Sequence, residues 1–145
     1  MTLDGTYTFP APRERVWALL MDTDAIASCV PGCERLEPLG GDRYQAKLVA
    51  TVAAMSGSYE GTVAMLDQVA PASYRLVIEG SGTHGFVNGE SRITLRQESA
   101  STIVDVTGTM DVGGTIARLG QRLIGSVSKM MLDRFFACMQ GKVPA

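Results

Sequence analysis

The sequence predicts an α+β fold: a curved antiparallel sheet of about seven strands wrapped around a long C-terminal helix, with two short helices after the first strand. Three observations predict it. From the Pro31-Gly32 corner to Val112 the signal is nearly all period two, with turn clusters between the runs. After Gly113-Gly114 the period becomes 3.6 and holds for more than 20 residues. Ahead of both lie one short alternating run and two short helical stretches.

The elements follow in order. "LDGTYTF" sets Leu3, Gly5, Tyr7 and Phe9 against polar neighbours, a strand. In "PAPRERVWALLMD" Pro12 suits a first helical position, and Val16, Trp17, Leu19 and Leu20 share a face. "TDAIASCV" follows Asp22 as a second helix that Pro31-Gly32 ends, and Cys33 opens the next strand. The runs that follow point one set of side chains inward: Tyr44, Ala46, Leu48, Ala50 and Val52, then Tyr59, Gly61, Val63 and Met65. Tyr74, Leu76 and Ile78 come next, then Val87, Gly89, Ser91, Ile93 and Leu95, and finally Val104, Val106, Gly108, Met110 and Val112. Turn clusters at Gly40-Gly41-Asp42, Pro71-Ala72-Ser73 and 98–101 mark successive hairpins. One helix then carries Ile116, Leu119, Leu123, Val127, Met130, Met131 and Phe135 on its apolar side, with Arg118 and Arg122 one turn apart on another.

The chain of 145 residues is one ordinary domain, 1–145, with 46% hydrophobic and 19% charged residues, enough apolar material for a core. A net charge of -2 argues against a nucleic-acid partner, which a basic face would serve. The first residues show no signal-peptide pattern, and no apolar run is long enough to span a bilayer, so the expected location is cytoplasmic. Three cysteines are an odd number and argue against a disulfide framework.

The inward positions are rich in small residues: Ala46, Ala50, Gly61, Gly80, Gly89 and Gly108. Such glycines either let a bent sheet curl or leave the space before them unfilled. Taken together they remove bulk from between sheet and helix, which predicts an apolar cavity for a lipophilic ligand. The expected lining is Trp17, Leu48, Val63, Leu76, Ile78, Phe86, Leu119, Leu123 and Val127.

"GTYTFPAPRERVWALLMD", "CVPGCERLE", "GSYEGTVAML", "EGSGTHGFVNGESRITL" and "VGGTIARLGQRLIG" resemble, in order, the motifs of the carbon monoxide dehydrogenase CoxG family. That family belongs to the START-like (SRPBCC) polyketide cyclase/dehydrase superfamily. The resemblance runs from Leu3 to about Met139; its most specific parts are the Pro-Gly-Cys-Glu turn and the "GGTIARLGQRLI" stretch. It implies a helix-grip fold with a hydrophobic cavity and a partner, a carbon monoxide dehydrogenase-like molybdenum hydroxylase. It also implies a non-catalytic role: handling a lipophilic quinone or lipid and helping the enzyme reach the inner face of the membrane. Some members carry a hydrophobic C-terminal tail. This sequence ends at "QGKVPA", which predicts transient membrane contact instead, through Phe86, Arg118 and Arg122.

No motif points to catalysis. Cys29 and Cys33 lie at Cys-x-x-x-Cys spacing with no second pair to complete a zinc site, so both are expected to be small structural residues at the Pro-Gly corner. Replacing both by alanine is then expected to cost about 1–2 kcal/mol. His84, the sole histidine, has no titratable neighbour in sequence and reads as a rim residue of a Gly-rich hairpin. The rival reading is an enzyme, an aromatase/cyclase or small hydrolase working in the same cavity. It requires polar side chains that converge inside.

Overall fold

The computed structural model describes residues 1–50 and 56–143. The chain runs β1 (Thr2–Phe9), α1 (Arg13–Leu20), α2 (Thr23–Cys29), β2 (Cys33–Gly40), β3 (Arg43–Ala50), β4 (Gly57–Val69), β5 (Ser73–Gly82), β6 (Gly85–Glu98), β7 (Ser101–Gly113), a 3-10 segment (Gly114–Leu119) and α3 (Gln121–Gly141). The strands form one antiparallel sheet in the order β1-β7-β6-β5-β4-β3-β2, so β1 crosses to the far edge while all later neighbours are hairpins. This is the predicted architecture.

Register agrees with the phase of the alternation. Tyr44 pairs with Val63, Val63 with Ile78, Ile78 with Gly89 and Gly89 with Met110, a continuous row across five strands. Directly paired residues project to the same side of a sheet. The inward set from Leu3 to Val112 therefore shares one concave face; Val52 lies outside the described residues.

Local chemistry sets the helices. Asp22 caps α2, its carboxylate accepting from the Asp24 and Ala25 amides. The C-terminal helix departs from expectation. It does not run unbroken from Ile116, because Gly120 takes φ +85°, separating the 3-10 segment from α3. Arg118 and Arg122 therefore stand on different elements, and the expected one-turn spacing on a shared helix does not hold.

The core is packed at one end. Phe9, Val16, Leu20, Val104, Phe136 and Met139 are almost wholly buried, joining β1, α1, β7 and the second half of α3. Phe136 stacks on Tyr7 at 4.2 Å between ring centroids and meets Phe9 and Phe135 edge-on. A Cys29–Cys138 disulfide ties α2 to α3 across 109 residues, with Cα atoms 5.4 Å apart. This overturns the expectation for Cys29, which is half of a cross-link and not an isolated small residue. Cys33 alone is a free thiol, half-buried at the start of β2.

Candidate functional site

Burial falls along β5, β6 and β7 from the packed end toward the hairpins at the other. On β5 the sequence Tyr74, Leu76, Ile78 goes from 4% exposed, through half-buried, to 40% exposed. On β6, Leu95 and Ile93 are buried while Ser91, Gly89 and Val87 are not. On β7, Val104 and Val106 are buried while Gly108, Met110 and Val112 are not. One end of the concave face is a core. At the other the inward side chains are half-buried or exposed.

The glycines of that surface divide into two kinds. A Cβ on Gly61 would overlap the Glu79 carbonyl oxygen, so this position serves close strand approach and curl. Gly80 and Gly89 differ. A Cβ there would come no nearer than 3.8 Å and 3.6 Å to the described neighbours, ordinary contact, so close strand approach does not require a glycine at either position. Gly80 lies beside Ile78, and Gly89 pairs with it.

The predicted lining residues sort accordingly. Leu48, Val63, Leu76 and Ile78 project from the concave face, and of these only Leu76 packs against the core. Trp17 also packs there, edge-on to Tyr74 at 5.6 Å. Val127 is buried, Leu119 half-buried and Leu123 40% exposed, and all three lie outside the core cluster. Phe86 is a correction. Its neighbour Val87 is on the concave face, and adjacent strand residues point to opposite sides, so Phe86 lies on the convex face. There its ring, 42% exposed, covers Gly113.

A cleft of about 210 Å³ opens where the concave face of β7 meets the start of α3, lined by residues that include Met110, Val112, Ala117 and Ile124. A wider hollow of about 560 Å³ along Ser126, Met130 and Arg134 is open to solvent on the outside of α3. The β5–β6 hairpin braces this end: the His84 carbonyl accepts from the Ile116 amide at 2.9 Å and the Thr115 hydroxyl at 2.7 Å. The His84 side chain is exposed, as a rim position should be.

Polar groups on the concave face are chiefly phenols. All four tyrosines of the chain, Tyr7, Tyr44, Tyr59 and Tyr74, project from it. Tyr7 donates to Asp133 at 2.6 Å and accepts from Lys129 at 3.3 Å, while Lys129 and Asp133 pair at 3.0 Å. Burial, then the Asp133 contact, raises the Tyr7 pKa. Burial alone raises that of Tyr74, far above the ordinary phenol value. The alternation places these residues inward without giving them a role; four tyrosines at inward positions is the signal a sequence offers.

The family model for carbon monoxide dehydrogenase CoxG matches residues 5–144, nearly the whole chain. The chain belongs to the CoxG family. A conserved protein from Geobacillus kaustophilus is 34% identical to this CoxG-family chain, with a TM-score of 0.95 over 98% of this chain and 94% of that one. A START superfamily protein from Mycobacterium smegmatis superposes with a TM-score of 0.75 at 13% identity, over 98% and 96% of the two chains. The Zhui aromatase/cyclase from Streptomyces sp. R1128 does so at 0.67 and 15%, over 98% and 92%. These two likenesses establish the START-like helix-grip fold alone. Among curated proteins none matches. Among the described residues, no helix of this family member is long and apolar enough to cross a membrane.

Proposed function

We propose that this CoxG-family protein is a non-catalytic carrier that holds a lipophilic molecule of the quinone class against its concave face. It serves a carbon monoxide dehydrogenase-like molybdenum hydroxylase, delivering the electron acceptor or bringing the enzyme to the inner membrane surface. The family name supports the partner. The ligand reading rests on one observation: Leu48, Val63 and Ile78 project from the concave face outside the core cluster, with Ile78 exposed and Gly80 and Gly89 beside it adding no bulk. A flat apolar ligand would bury that surface at about 25 cal/mol per Å².

Exchange of such a ligand requires a bilayer. Exposed Phe86, Arg118 and Arg122 stand at the same end as the open face and offer a weak, reversible contact with headgroups. Mass spectrometry of organic extracts from natively purified protein tests the carrier reading. A stoichiometric isoprenoid quinone or similar lipophile supports it. Extracts without lipophile, from protein that also takes up no added quinone, refute it.

A further inference from the structure

The concave face ends in a cleft of about 210 Å³, with Met110 and Val112 of β7 and, from the elements that follow, Ala117 and Ile124 among its walls. The fold sets those walls. Ile124 is 2% exposed, so the α3 side is anchored in packed structure. The 3-10 segment that carries Ala117 is tied to the β5–β6 hairpin, since Ile116 and Thr115 both donate to the His84 carbonyl. Gly120 ends that segment at φ +85°, and α3 starts with Gln121 at the cleft.

The cleft is continuous with the proposed carrier face. Met110 pairs with Gly89, which pairs with Ile78, and Val112 heads the row Val87–Gly80–Gly61. Pockets that enclose whole drug-sized ligands run to roughly 300–1,000 Å³, so this one has room for a ring and not for a long lipophile. Its polar groups are few. The Met1 ammonium donates to the Met110 carbonyl at 3.3 Å. Asp111 also borders the cleft but stands between Met110 and Val112, so its side chain projects toward the convex side. Gln121 remains, and its carboxamide has no hydrogen bond to any described residue.

We propose that the cleft seats the oxygen-bearing ring of the carried lipophile, with Gln121 as its hydrogen-bond partner and the tail laid across Gly89, Ile78 and Val63. A carboxamide both donates and accepts. Gln121 therefore donates an N–H to a quinone carbonyl and accepts through its own oxygen from the hydroxyl of the reduced form, so one seat holds either. Apolar burial supplies affinity, and this contact sets orientation. The inference rests on the carrier reading and adds which end of the ligand is recognised, and by what.

Three probes of like ring size test it: 2-methyl-1,4-naphthoquinone, which only accepts, 1-naphthol, which donates, and 2-methylnaphthalene, which does neither. Equilibrium dialysis measures each on wild type, Gln121→Leu and Gln121→Glu. Wild type should prefer the quinone and the naphthol to the hydrocarbon by about three- to tenfold, the worth of one net hydrogen bond. Gln121→Leu should lose both preferences. Gln121→Glu, whose carboxylate only accepts, should keep the preference for naphthol and lose that for the quinone. A side chain that merely shaped the cleft would not split the two. Wild type without preference, or preferences that survive in both variants, overturn the role of Gln121 and leave the carrier reading standing. Ala117→Trp tests the seat itself. Ala117 is exposed, so the fold should tolerate the indole, which should fill the cleft and abolish quinone binding at an unchanged melting temperature. Undiminished binding in that variant overturns the seat. Binding of no probe by wild type overturns both the seat and the carrier reading.

Discussion

The two ends of the concave face are built from the same alternating pattern and differ in what stands opposite them. At one end Phe9, Leu95 and Val104 meet Val16, Leu20, Phe136 and Met139, and the Cys29–Cys138 bond clamps α2 to α3 beside them. At the other, Leu48, Val63 and Ile78 lie outside that cluster, and Ile78 is exposed. Stability therefore concentrates at the packed end, and the capacity to bind is left at the open one. Substitutions at the two ends should separate these properties.

The largest effect belongs to the packed end. Phe136→Ala removes a fully buried ring with three aromatic neighbours and should cost about 3–5 kcal/mol in denaturant unfolding. A loss below about 1 kcal/mol would mean that this end is not the core.

The disulfide comes next. Closing a loop of 109 residues constrains the unfolded chain, so Cys138→Ser should lower stability by about 2–5 kcal/mol. That exceeds the roughly 1–2 kcal/mol expected for cysteines acting as small residues. Adding dithiothreitol should lower the wild-type melting temperature and leave that of Cys138→Ser unchanged. Equal melting of wild type with and without reductant would deny the cross-link.

A smaller effect is expected at the rim beside the open face. Arg118 and Arg122, both exposed, add at most about 1 kcal/mol each toward anionic lipid, and less as salt rises. Arg118→Ala/Arg122→Ala should weaken flotation with anionic liposomes and leave folding intact. Salt-resistant binding, unchanged in the double variant, would remove these arginines from the account.

The convex face should matter least. The Arg96 guanidinium beside Asp105, helped by the Thr6 hydroxyl, holds that carboxyl below its ordinary range. Its stabilisation is present above the unfolded carboxylate value near about 4 and is lost as pH falls through the lower folded value. The pair is largely exposed, so Asp105→Asn should cost under about 1 kcal/mol at neutral pH and nothing in strong acid. A loss that persists in strong acid would point to packing and not charge.

Period two with turn clusters is sufficient to read the sheet from the sequence, because one wrong phase would send every inward residue to the convex side. Phe86 breaks that same rule when set beside Val87 on one face, which a pleated strand does not allow. The Cys29–Cys138 pair is invisible in sequence because three cysteines permit three pairings and nothing local joins residues 109 apart. The helix break at Gly120 escapes the periodicity because a 3-10 segment keeps an apolar residue near each third position and so mimics the start of an α-helix. The exposure of Ile78 beside Gly80 and Gly89 depends on what lies across the space, which no one-dimensional pattern records.

The central claim is that the open end is a binding face and not a loosely packed core. Gly80→Leu and Gly89→Leu fill it directly, at positions where a Cβ meets nothing closer than ordinary contact. Quinone binding, followed by quenching of the single tryptophan, Trp17, should be lost in both variants while the melting temperature holds or rises. Undiminished binding in both, at unchanged stability, would contradict the account.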